Sequence, residues 1–78
     1  MEDEVIVVFI TASGFEEARN IASTLVESRI AACASILKGV SSLYWWKGGV
    51  EFSEETLIIV KTRSSLLKEL VEKVRSSH

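Results

Sequence analysis

The chain has 78 residues, with 9 Lys+Arg against 11 Asp+Glu for a formal net charge of −2, one His, one Cys and no Pro. One Cys excludes an internal disulfide and a Cys-rich zinc site, and the acidic balance, with a pI near 5.3, argues against a general nucleic-acid binder, which needs a basic field. With 47% apolar and 26% charged residues the composition is that of a single globular domain, residues 1–78, yet surface scaling has so short a chain bury only ~60% of its unfolded surface, so stabilisation by association is expected.

Met1 is followed by Glu2, Asp3 and Glu4 rather than by a basic, apolar leader, and the longest apolar run, residues 5–10, is too short to span a bilayer. The expectation is a cytoplasmic protein with no membrane partner. The run Val5-Ile6-Val7-Val8-Phe9-Ile10-Thr11 is β-branched and aromatic, with neither parity polar, and reads as a strand buried on both faces. Ser13 and Glu16 have capping-box spacing and open a helix over residues 14–29. Its apolar stripe is Phe15, Ala18, Ile21, Ala22, Leu25 and Val26. Residues 31–46 read as an extended stretch with a bulge or bend at Gly39. Lys47-Gly48-Gly49 makes a tight turn, and residues 50–62 return as a strand. Ser64 or Ser65 is placed to cap a second helix, striped by Leu66, Leu67, Leu70, Val71 and Val74.

The order strand, helix, strand, strand, helix predicts an α+β fold, the ferredoxin-like split β-α-β sandwich without its final strand. In this reading the first and third strands are central and pair in parallel, the second flanks the third in an antiparallel hairpin, and both helices cover one face. The apolar first strand is then an open edge, so either another chain supplies a strand or the sequence is part of a longer protein, the latter being expected. The face away from the helices needs a partner as well, and an oligomer is the simplest one.

Four blocks carry a resemblance: Val7-Val8-Phe9-Ile10-Thr11-Ala12, Arg29-Ile30-Ala31-Ala32-Cys33-Ala34, Leu43-Tyr44-Trp45-Trp46-Lys47-Gly48 and Ile59-Val60-Lys61-Thr62-Arg63. Their order and spacing resemble the CutA family of divalent-cation tolerance proteins over nearly the whole chain after Glu4. The resemblance implies a ferredoxin-like subunit of a compact homotrimer, similar in architecture to PII signal proteins, with a link to copper and other heavy-metal tolerance. It also implies a further strand and a closing helix beyond residue 78.

Imidazole is a good ligand for Cu(II) and zinc, and in the CutA pattern a His at this junction is associated with copper; His78 matches it. Ser77 and Ile10 stand where some members carry a second His and a Cys, and neither is a comparable ligand. The Cys33 thiol is a second metal candidate, for soft Cu(I), against the plainer reading of a small buried hydrophobe. Tyr44, Trp45, Trp46 and Phe52 gather aromatics in one hairpin and read as core and subunit interface, with Trp45 on one face and Tyr44 and Trp46 on the other. Glu51, Glu54 and Glu55 read as a solvated hairpin tip, since adjacent strand residues point to opposite faces. Lys61, Thr62 and Arg63, at a strand-to-helix junction, are an anion-binding candidate through side-chain charge and helix-start N–H groups.

The functional expectation is therefore a non-enzymatic homotrimer associated with divalent or heavy-metal tolerance, binding copper or another divalent metal and no organic cofactor. The alternative is a PII-like regulator or scaffold that holds a small anion between subunits. No Ser/His/Asp or Cys/His constellation, P-loop or dinucleotide motif points to an enzyme, and no nucleic-acid partner is expected.

Overall fold

A computed structural model describes residues 3–77. The elements are β1 (Val5–Ala12), α1 (Phe15–Glu27), β2 (Cys33–Trp46), β3 (Gly49–Arg63), a short 3₁₀ turn (Ser64–Leu66) and α2 (Leu67–Ser77). The strands form one sheet in the order β1-β3-β2, which is the split β-α-β arrangement of the ferredoxin-like fold. β3 pairs with both neighbours antiparallel. The expected parallel pairing of β1 with β3 is therefore incorrect. The reason is topological: the α1 crossover makes β1 and β2 run the same way, and the hairpin reverses β3, which lies between them.

The registers Ile6↔Thr62, Val8↔Val60 and Ile36↔Ile58 place one parity of each strand under the helices. There Ile58 and Val60 are 0% exposed, packed with Ile21, Leu25 and Leu70 from α1 and α2. Complete burial of an aliphatic side chain contributes about 1.5–3 kcal/mol, so this small cluster carries much of the stability. The other parity behaves differently. Val5 and Phe9 are 71% and 67% exposed, so β1 is covered on one face of the single chain, not on both as its composition suggested. Both helices lie on the Ile58 side and leave the Val5 side open. The helix stripes are also narrower than read: Phe15, Val26, Leu67 and Val71 stay exposed at their margins.

Gly39, at φ +72°, sits where the β2 register shifts between Leu37 and Val40, as expected for a bulge. The extra residue inverts the alternation. Leu37 lies on the open face with Leu57, whereas beyond the bulge Val40, Ser42, Tyr44 and Trp46 do so, and Leu43 and Trp45 move to the helix side. The hairpin closes through Lys47 and Gly48, at φ +49° and +81°, the two left-handed residues of a type I′ turn. This arm runs past the helices and gives the chain its 44 Å long axis.

Helix capping differs from expectation. Glu17, not Glu16, reaches back to Ser13, accepting from its backbone N–H at 2.9 Å. Gly14 is the N-cap residue of α1 and has no side-chain cap. At the second helix the capping group comes from far away in sequence. Asp3 Oδ1 accepts from the Ser65 N–H at 2.9 Å, and Oδ2 accepts from the Ser65 hydroxyl at 2.8 Å.

Candidate functional site

A concave surface feature lies where α1 ends and the strands begin and finish. α1 terminates in a Schellman motif: Ile30 N–H donates to Leu25 C=O at 3.0 Å and Arg29 N–H to Val26 C=O at 3.1 Å. Arg29 occupies the position that favours glycine, at φ +64°. A left-handed residue with a Cβ costs about 1–2 kcal/mol, so this is a strained place to put an arginine. The reversal buries Ile30 and Ala31, and Ala32 N–H then donates to Lys61 C=O at 2.9 Å. Ser64 N–H donates to Glu4 C=O at 2.8 Å and brings the start of β1 alongside.

These ties border an open hollow of about 420 Å³, whose lining includes the apolar Val5, Val26, Ile30 and Leu66 and the charged residues Arg29, Lys61 and Arg63. Thr62 is 3% exposed, and its hydroxyl donates to Ile30 C=O. Its proton is therefore committed to the fold. The helix-start N–H of Ser65 is likewise taken, by Asp3. Of the anion-binding trio, Lys61 and Arg63 line the hollow from the open-face parity of β3, and Thr62 serves the scaffold. Arg29 was missed because the chain brings it to Lys61 from 32 residues away, through a helix end that no local pattern announces.

The Asp3 carboxylate is held below the ordinary aspartate range. The backbone N–H of Ser65 is the largest cause, followed by the hydroxyl of Ser65; desolvation opposes them, and the Ser64 hydroxyl and the nearby Arg63 charge add smaller lowering effects. Ser64 completes the knot, accepting from Glu4 N–H and donating to Asp3, both at 3.2 Å.

Cys33 is a free thiol at the start of β2, exposed rather than buried, and it stands opposite Lys61 on the open face. A cation beside it disfavours a second cation. Among the described residues no three His, Cys, Asp or Glu side chains converge on a point that could hold a metal. His78 lies outside the described residues. Glu54 and Glu55 fall on opposite parities of β3, as alternation requires.

The aromatic residues lie on the arm and are exposed in the single chain. Trp45, cross-strand from Val50, and Leu43, cross-strand from Phe52, form a patch on the helix side, where exposures run from 59% to 76%. Tyr44 and Trp46 lie on the other face, the division that alternation predicted. Lys47 Nζ sits 5.7 Å from the Trp46 ring centroid. No helix among the described residues is long and apolar enough to cross a membrane.

Comparison with known proteins adds a second line of observation. A family profile described as CutA1 divalent ion tolerance protein matches residues 6–78. The divalent-cation tolerance protein CutA of Thermus thermophilus is 44% identical over 72 residues, covering 92% of this chain and 70% of that protein. The chloroplastic CutA 1 of rice is 41% identical over 73 residues, 94% of this chain but only 41% of its own length. The chain thus spans about two fifths of such plant relatives. The crystal structure of rice CutA1 superposes with a TM-score of 0.92 at 40% identity, covering 95% of this chain and 68% of that one. The Thermus protein gives 0.86 at 42% identity, covering 100% and 73%.

Proposed function

This chain belongs to the CutA1 divalent ion tolerance family, and from that premise we propose that it is a non-catalytic subunit of a homotrimer that serves tolerance of divalent ions, copper among them. The observation that carries the reading is the family match along residues 6–78, which takes in every element of the fold. The open face and the apolar arm support the assembly. Val5, Val7 and Phe9, with Leu43, Trp45, Val50 and Phe52, are large apolar side chains more than half exposed in one chain. Patches of that kind mark interaction surfaces.

The non-catalytic part is supported by the sparse chemistry of the sequence: one His and one Cys, with no phosphate-cradling glycine loop. A single imidazole per chain becomes three in a homotrimer, which is how His78 would supply a copper or other divalent-metal site. The exposed thiol of Cys33 fits a reducing compartment, and the cytoplasm is proposed on that ground.

The test is calorimetric titration of the full-length protein with Cu(II) and Zn(II). His78→Ala is expected to weaken Cu(II) binding by about tenfold or more at neutral pH. Binding of the parent protein should fade below about pH 6, because protonated imidazole cannot ligate. Unchanged affinity in the variant removes His78 from the site.

A further inference from the structure

The hollow at the end of α1 has a composition that the family reading does not use. Its lining contains Arg29, Lys61 and Arg63 and no carboxylate, in a chain whose net charge is −2. Arg63 is partly offset by Asp3. Arg29 and Lys61 make no ion pair among the described residues. Arg29 occupies a left-handed position where glycine would be less strained, so its side chain is present at a structural cost. The rest of the lining is mainly apolar, through Val5, Val26, Ile30 and Leu66. A volume of about 420 Å³ suits a small organic molecule.

We propose that this hollow binds a small organic dianion, a dicarboxylate or a phosphate monoester, whose charged groups lie against Arg29 and Lys61 and whose carbon skeleton lies on the Val26–Ile30–Leu66 wall. Guanidinium groups match carboxylate and phosphate oxygens in pairs, and two cations without an ion pair among the described residues set the charge of the ligand. The site is built within one chain and stands independently of the metal reading. Val5, Lys61 and Arg63 belong to the open face, so a neighbouring subunit on that face would wall the mouth of the hollow.

The probes are succinate, phenyl phosphate and inorganic phosphate, titrated calorimetrically into the full-length protein, with neutral glycerol as the control. Saturable binding of succinate or phenyl phosphate, weakened by salt and stronger than that of inorganic phosphate, is the expected result. Whichever of the two binds more tightly distinguishes the carboxylate source from the phosphate source. Arg29→Gly is the informative variant, because glycine suits the left-handed position and the fold is kept. It should weaken the dianion by about fivefold or more while the melting temperature holds or rises. Lys61→Gln should weaken it similarly. Binding unaltered in both variants overturns the proposal. So does the absence of dianion binding at millimolar concentration, and if Arg29→Gly then also loosens the assembly, the cations serve a neighbour's carboxylate instead.

Discussion

Asp3 shows how one side chain at the edge of the fold can hold two ends of the chain together. It lies 62 residues from Ser65 in sequence, yet it accepts from both the N–H and the hydroxyl of that serine. These bonds favour its charged form, which is why its pKa lies below the ordinary value. A depressed folded pKa contributes stability that is present above the unfolded pKa and is lost as pH falls through the folded one. Anchoring of residues 3–5 to the start of the second helix should therefore persist through neutral and mildly acidic pH and release only in strong acid. Amide exchange at Ser65 is the readout. It should accelerate in Asp3→Ala and be largely retained in Asp3→Asn, which keeps an acceptor oxygen. Equal protection of Ser65 in the parent protein and in Asp3→Ala would show that the carboxylate does not act as a cap. No periodic signal pointed to this contact, because local spacing describes caps within a few residues and this one comes from the far end of the chain.

At the scale of elements, the hairpin turn is the place where backbone conformation decides stability. Gly48 has φ +81° with open space around it, so an added methyl meets no neighbouring atom and only the left-handed backbone resists. Gly48→Ala should cost about 1–2 kcal/mol in denaturant unfolding. Gly49→Ala is the control, because Gly49 is not left-handed and its Cβ would meet only Trp46 O at 4.0 Å. It should stay within about 0.5 kcal/mol. Equal losses in the two variants would mean that hairpin closure does not depend on the left-handed backbone at Gly48. The turn, the bulge at Gly39 and the order of elements were all readable in the sequence, because each has a local cause: a glycine, a change of parity, a 3.6-residue stripe. Strand direction was misread even though topology determines it. Hydrophobic alternation reports which face a residue takes and is silent on whether neighbours run parallel. The hollow was readable only in part, since Lys61 and Arg63 are local to one junction, whereas Arg29 and the apolar wall arrive from other elements.

For the whole molecule, the decisive quantity is the apolar surface that one chain leaves uncovered. Val5, Val7 and Phe9 occupy the outer edge strand, which has no second partner strand among the described residues. The arm adds Leu43, Val50 and Phe52, together with Trp45 at 76% and Trp46 at 57% exposure. A trimer is a head-to-tail arrangement that closes on itself, so two different patches of each copy meet those of its two neighbours and both leave water at once, whereas a head-to-tail arrangement that fails to close would leave one patch exposed at each end. Buried aromatics at the centre of such a contact typically contribute about 2 kcal/mol or more each, so Trp45→Ala combined with Trp46→Ala should weaken association by about a thousandfold. The helix-packed core around Ile58 and Leu25 does not involve either indole, so each subunit should keep its secondary structure. Sedimentation velocity of the full-length protein is the measurement: the parent should run as a trimer at low micromolar concentration and the double variant as a monomer of unchanged far-ultraviolet circular dichroism. Glu54→Ala, beside the same patch but charged and exposed, should leave the trimer intact. A double variant that still sediments as a trimer would move the contact off the arm and leave the open face of β1 and β3 as the surface to test next.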